Sequence, residues 1–209
     1  MPTLLHINSS PLYKTSISRQ LSNAFVEEWK ARHPGDTVIE RDLTAMDIPA
    51  INEQWVGAIF TPAAALTPEQ KQMLALSDSL FAELDQADEY VFGVPMHNFS
   101  VPSALKLWID QICRVGKTFS YEGGTPKGLL TGKKATFIIA SGGIYDAQTQ
   151  MASYNFVEPY LRTLFGFIGV MDATFLTAGG VSALNHGAID RETFIAPHLA
   201  SVITHAQTA

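Results

Sequence analysis

The spacing of apolar and polar positions changes period several times along the chain, and each change marks an element. TLLHIN, residues 3–8, reads as a buried strand. After a hydroxyl-rich patch, Ile17, Leu21, Ala24, Phe25 and Trp29 recur at helical spacing up to the breaker RHPGD. TVIERDL is a short second strand. Residues 52–66, NEQWVGAIFTPAAAL, mix helix and loop signals and are unusually apolar. A strong helix start follows, with Thr67 as N-cap, Pro68 at N1 and Gln70 at N3. Leu74, Leu80, Phe81 and Leu84 carry that helix to QADE. YVFGVPM is a continuous apolar strand broken at Pro95, and Pro102 opens a helix over SALKLWIDQICRV. KTFSYEGGTPKG reads as a short hairpin or irregular excursion, KKATFIIAS as the next buried strand, and GGIYDAQTQ as its loop. Residues 153–168 are expected to form a helix, DATFLTAG a final strand, and residues 190–206 a terminal helix.

Apolar strands alternating with helices predict an α/β fold, a parallel sheet covered on both faces and wound both ways. No repeat or linker interrupts the pattern, so residues 1–209 are expected to form a single domain. The loops at 9–18, 95–102 and 141–146 each follow a strand and fall on one edge of the sheet. That edge, where the winding reverses, is where such folds bind ligands.

Composition narrows the partners. The chain has 209 residues, 46% of them hydrophobic, enough for one well-filled core. A net charge of −6 argues against nucleic acid held through phosphates. The single cysteine, Cys113, fits a reducing compartment. There is no signal-peptide pattern and no apolar run of membrane-span length, so a cytoplasmic protein with no membrane partner is expected.

The candidate chemistry lies in the three loops. Ser9, Ser10, Thr15, Ser16 and Ser18 crowd one strand-to-helix turn. Free N–H groups at a helix start, with hydroxyls added, bind an anion. The plainer reading is that Ser16 or Ser18 caps the helix. Neither the P-loop nor the dinucleotide glycine fingerprint is present, which points to a terminal phosphate monoester. In PMHNFSVP, Asn98 can both donate to and accept from a ring edge, and Met96 and Phe99 can lie against a planar ligand. SGGIY lets backbone approach closely through Gly142 and Gly143. Together these loops describe a phosphate at one end and a planar, amide-edged ring at the other, which is flavin mononucleotide (FMN). His6, within a strand, reads as a satisfied core histidine, and Cys113 as packing.

The motifs SS-x5-S-x-S, PMHNFSVPSALKLWID, GKTFSYEGGTPKGL, GKKATFIIASGGIY and LFGFIGV resemble the FMN-dependent NADH:azoreductase and quinone reductase family almost end to end. The resemblance implies a flavodoxin-like five-stranded sheet of order 2-1-3-4-5, one FMN per subunit, NADH as donor, and quinones and azo compounds as acceptors. It implies a homodimer as well. Carried across by position, Ser10, Ser16, Ile17 and Ser18 hold the phosphate. Met96, His97, Asn98 and Phe99 line the ring, and Ser141, Gly142, Gly143 and Ile144 close its other side. The family often has tyrosine where this chain has His97, and some members carry a bulkier polar residue at Gly142. An aromatic acceptor pocket is expected from Phe60, Phe119, Tyr121 and Tyr145. The chemistry belongs to the flavin, so no protein residue is assigned as catalytic. A shared face for donor and acceptor implies ping-pong kinetics, and cleaving an azo bond to amines takes four electrons, hence two such cycles. The competing reading is a flavodoxin-type electron carrier with a protein partner. A receiver domain shares the topology, but HINSS lacks the acidic residues such a domain needs.

Overall fold

The computed structural model describes residues 1–208. The long strands are β1 (Thr3–Asn8), β2 (Thr37–Asp42), β3 (Glu89–Pro95), β6 (Lys134–Ser141) and β7 (Asp172–Gly179). They form one five-stranded parallel sheet in the order β2-β1-β3-β6-β7. Numbering only these strands along the chain gives 2-1-3-4-5, as expected. The short strands β4 (Phe119–Ser120) and β5 (Lys127–Gly128) pair antiparallel, so KTFSYEGGTPKG is a hairpin, with a 3-10 turn at its tip. The helices are α1 (Ile17–Arg32), α2 (Glu53–Ile59), α3 (Pro68–Gln86), α4 (Ser103–Ile112), α5 (Val157–Ile168), α6 (Ser182–Asn185) and α7 (Arg191–Ala206).

Strand alternation divides the core in two. Leu5, Ile7, Tyr90, Phe92, Val94, Phe137 and Ile139 face one way and pack with residues of α3, α4 and α5, among them Leu80, Trp108 and Phe165. Leu4, Val91, Ile138 and Ala140 face the other way, against Leu21, Phe25 and Trp29 of α1 and Phe194, Ile195 and Val202 of α7. Phe92, Phe137 and Phe175 stand in register on adjacent strands and stack in a row, with centroids 4.8 Å apart at each step. Phe92 and Phe137 are fully buried and Phe175, on the edge strand β7, is half-buried, so the row ties that edge to the middle of the sheet.

Local signals set several boundaries. Thr67 Oγ1 accepts from Gln70 N–H while Gln70 Oε1 accepts from Thr67 N–H, a complete capping box at the head of α3. Part of the ambiguous 52–66 stretch becomes α2, capped by Asn52. Two expected spans shorten. The helix after Pro102 ends at Ile112, since Cys113 already has φ −79°, ψ 85°. The helix expected from residue 153 begins at Val157, because Asn155 Oδ1 accepts from the N–H groups of Val157 and Glu158. Ala152–Tyr154 is instead a 3-10 turn. The short helix α6 was not anticipated; one turn is too brief for periodicity to reveal. No helix among the described residues is long and apolar enough to cross a membrane.

Candidate functional site

β1 runs into the hydroxyl-rich loop under tight control. Ser9 donates twice to the Gly93 carbonyl, from N at 3.1 Å and from Oγ at 3.0 Å. Ser10 Oγ accepts from Leu12 N at 3.3 Å. Ser16 is the N-cap of α1, its Oγ accepting from Arg19 N at 3.2 Å, while its carbonyl accepts from Gln20 N. The plainer reading of Ser16 therefore holds, and it leaves something over. Of the N–H groups that a helix start cannot satisfy internally, those of Ile17 and Ser18 find no protein acceptor among the described residues. Ser18 Oγ lies 3.2 Å from Ser16 Oγ, and both serines are buried. A capped, positively polarised helix end with free donors and clustered hydroxyls has the make-up of a phosphate cradle.

Arg19 braces this loop from behind. Its guanidinium grips the Asp42 carboxylate with both amines, at 3.0 and 3.1 Å, and also donates to the Ser10 carbonyl at 2.7 Å. Burial alone would raise the Asp42 pKa, but hydrogen bonds from Arg19 and Thr44 and the Arg19 charge outweigh it. The carboxyl is held below its ordinary value and stays charged.

The second loop is a two-residue turn. His97 and Ser100 exchange both backbone hydrogen bonds at 3.0 Å, while Asn98 (φ 48°) and Phe99 (φ 69°) take left-handed conformations. Both central residues at positive φ define a type I′ turn, natural for asparagine and costly for phenylalanine, about 1–3 kcal/mol. The Phe99 carbonyl accepts from Phe156 N at 3.0 Å, and its ring packs 5.3 Å from Tyr154 and 6.1 Å from Tyr145, which offsets that strain. The third loop is stitched to the start of α6. Ser141, Gly142 and Gly143 carbonyls accept from Val181, Ser182 and Gly180 N–H groups at 3.0–3.1 Å. A Cβ on Gly142 would lie 2.9 Å from Ser182 Oγ, and one on Gly143 3.0 Å from the Tyr145 ring. Glycine at these two positions leaves the space that the Ser182 hydroxyl and the Tyr145 ring occupy.

The loops meet in one cleft of about 210 Å³ beyond the ends of β1, β3 and β6. Of the expected cofactor residues, Ser10, Ser16, Ile17 and Ser18 line one side, Met96 and His97 another, and Ser141 and Gly142 a third. Thr15 joins them, as do Leu12, Val181 and Asn185, which the sequence did not single out. Asn98, Phe99, Gly143 and Ile144 sit on the same loops, outside the cleft wall. The expected acceptor pocket is not assembled within one chain. Tyr145 lines a separate cavity of about 480 Å³ with Asn155, Arg162 and Phe175. Phe60 is 70% exposed at the end of α2. Phe119 packs on Phe167 at 4.7 Å and edge-on to the exposed Tyr121 at 5.6 Å.

Beneath the cleft lies a buried polar network. His6 Nε2 is 2.9 Å from Ser22 Oγ and 3.1 Å from Asn8 Nδ2, and Ser22 Oγ donates to Asn8 Oδ1 at 3.2 Å. His6 is thus a core histidine satisfied on one nitrogen only, since Nδ1 has no partner among the described residues. Burial, aided by the charges of Arg19 and Lys30, lowers its pKa to about 4, so it is neutral at pH 7. Cys113 is half-buried behind the second loop, its thiol pushed up to about 12 mainly by burial, which leaves packing as its role.

A cleft at the point where strand order reverses, between β1 and β3, with a helix-start anion cradle built without a P-loop, defines a flavodoxin-like nucleotide-binding protein. The match to known proteins is extensive. A family described as having a flavodoxin-like fold matches residues 2–204. The FMN-dependent NADH:quinone oxidoreductase of Acidobacterium capsulatum is 54% identical over 202 residues, covering 97% of this chain and 98% of that one. The FMN-dependent NADH:quinone oxidoreductase 3 of Burkholderia lata is 46% identical over 199 residues, covering 95% and 96%. Among solved structures, an azoreductase from Bacillus anthracis superposes with a TM-score of 0.90 at 28% identity over the whole of both chains. A Bacillus anthracis FMN-dependent NADH-azoreductase in complex with FMN gives 0.87 at 26% identity, covering 99% of this chain and 98% of that one. The chain belongs to the flavodoxin-like family of NADH:quinone oxidoreductases and azoreductases.

Proposed function

We propose that this protein is an FMN-dependent NADH:quinone oxidoreductase that also reduces aromatic azo compounds, one FMN being held in the cleft of each subunit. The observation that carries the reading is the set of donors at the head of α1. The free N–H groups of Ile17 and Ser18, with the hydroxyls of Ser10, Ser16 and Ser18, fit a phosphate monoester in charge, polarity and position. The residues present therefore fit the cofactor.

Ser10, Ser16, Ile17 and Ser18 hold the phosphate end, and Arg19 keeps the Ser10 carbonyl turned away from it. Met96, His97, Asn98 and Phe99 support the ring on one side, and the strained turn presents the Asn98 amide at a fixed angle. Ser141, Gly142, Gly143 and Ile144 close the other side. FMN bound there would supply two-electron hydride chemistry between NADH and the acceptor, and a site shared by the two would give ping-pong kinetics.

Phe60, Phe119, Tyr121 and Tyr145 form the acceptor pocket across a homodimer. Support comes from the exposure of Phe60, Tyr121 and Phe156 at 70%, 57% and 57%, an apolar surface seldom left open on a soluble monomer. The same apolar surroundings weigh against an electron carrier, which docks its partner through a charged rim. A cytoplasmic setting suits the lone Cys113. The test is the visible spectrum of the purified protein, followed by NADH oxidation with a quinone as sole acceptor. A colourless protein that takes up no FMN refutes the reading. A flavoprotein that oxidises NADH only when another protein is added is a carrier instead.

A further inference from the structure

We infer that Arg191, the first residue of α7, is a positioning residue for the cofactor phosphate, acting through the loop that precedes α1. This rests on the FMN reading above. The segment 11–15 between β1 and α1 is exposed, yet the carbonyls flanking and ending it are each held by a guanidinium. Arg19 Nη2 donates to Ser10 O at 2.7 Å, and Arg191 Nη1 donates to Thr15 O at 3.1 Å. Arg191 Nη2 donates as well to Gln20 Oε1 at 2.7 Å, so one planar fork spans the loop and the first turn of α1. The C=O and N–H of a peptide point in opposite directions. Fixing Thr15 O towards α7 therefore fixes the Ser16 N–H away from it, at a residue that lines the cleft.

The two arginines differ in charge balance. The Arg19 charge is matched by Asp42. Both acceptors of Arg191 are neutral, and the neighbouring Asp190 is engaged in capping α7 through Thr193 N at 2.9 Å. Among the described residues Arg191 forms no ion pair, although Asp190 and Glu192 flank it in sequence, and its guanidinium is held at the carbonyl of Thr15, which lines the cleft. Arg191 thus preorganises the loop and lends it charge, and both effects act on a phosphate and not on an isoalloxazine ring. Discrimination between FMN and riboflavin, which lacks the phosphate, is where the role becomes visible.

The experiment titrates apo-protein with FMN and with riboflavin, following quenching of flavin fluorescence, for the parent, Arg191→Ala and Arg191→Lys. Arg191→Ala is expected to weaken FMN about five- to tenfold, the scale of a partly exposed charge-assisted contact, and to leave riboflavin within about twofold. Arg191→Lys keeps the charge but cannot bridge both acceptors, and is expected to fall between. Unchanged FMN affinity in Arg191→Ala overturns the inference, as does an equal loss for both flavins, which would mark a purely structural contact. A parent protein that binds FMN no better than riboflavin overturns the phosphate reading itself, and the role of Arg191 with it.

Discussion

Gly93 is the point where the core and the cleft are mechanically joined, and Gly93→Ala measures that joint. The strand conformation at Gly93 is open to any residue; what forbids a side chain is space. A Cβ built there lies 2.7 Å from Asn8 Oδ1, 2.8 Å from Ser22 Oγ and 3.2 Å from the Ser18 carbonyl. The first two atoms belong to the His6–Asn8–Ser22 network, whose members are at most 7% exposed. They can move only by giving up buried hydrogen bonds, at about 1–3 kcal/mol. Ser18 O is backbone in the first turn of α1 and cannot rotate away, so α1 must shift outward, an overpacking cost of about 1–3 kcal/mol. The total comes to about 4 kcal/mol, which lowers the melting temperature of a chain of this size by about 8–16 °C. Because Ser18 also lines the cleft, FMN affinity should fall with stability. Thermal unfolding of the apo-protein and an FMN titration read the two effects separately. Gly166→Ala is the control: it lies within α5 with nothing inside 4 Å of its Cβ, and is expected to be neutral or to stabilise by about 0.5–1 kcal/mol. If Gly93→Ala melts within about a degree of the parent, the close packing of α1 on β3 is not what requires glycine there.

Ser16→Ala combined with Ser18→Ala is expected to release FMN from a folded protein and to cost about 1 kcal/mol for the lost cap; unchanged flavin affinity would show the cradle to lie elsewhere. His6 has a folded pKa of about 4 against an ordinary 6.5, so the unfolded chain takes up a proton first as pH falls. Its contribution is intact at pH 7 and is lost between about 6.5 and 4, with about 2 kcal/mol gone by pH 5. Urea unfolding at pH 7 and 5 should show a smaller difference in His6→Gln than in the parent, and equal differences refute the assignment. Sedimentation at assay concentrations is expected to show a dimer, and a fully active monomer would rule out the shared pocket. Quinones are expected to turn over faster than azo dyes at one NADH concentration. Reduction makes a quinone aromatic, whereas an azo bond gains nothing comparable, and an aromatic pocket with few fixed charges selects weakly. One azo dye outpacing every quinone by a wide margin would reveal a specific contact in the pocket.

The parallel sheet was legible because strands buried on both faces are continuous apolar runs and a change of period marks each helix between them, whereas its strand order came from the family resemblance and not from the pattern. The α3 capping box could be read to the residue, since its partners are three positions apart. The cleft was legible in outline for the same reason: loops that end parallel strands share one edge, so Ser16, Met96 and Ser141 were bound to converge. What the sequence could not yield were contacts between distant positions. Gly93 looks like a weak point in a strand until Ser22 and Asn8 are seen against it. Arg19 and Arg191 look like surface charges until they are seen holding the carbonyls of Ser10 and Thr15, the latter 176 positions from its arginine. Residues 153–156 read as helix because their composition allows it, and only the Asn155 side chain, folded onto the next turn, decided otherwise. Phe60 and Phe119 read as loop aromatics, yet Phe60 ends α2 and Phe119 lies in β4, and which surface they share with Tyr121 depends on where whole elements pack. Periodicity and caps are local and are written in neighbouring residues. Steric limits and long-range hydrogen bonds are set by the meeting of segments, and only the tertiary structure decides those.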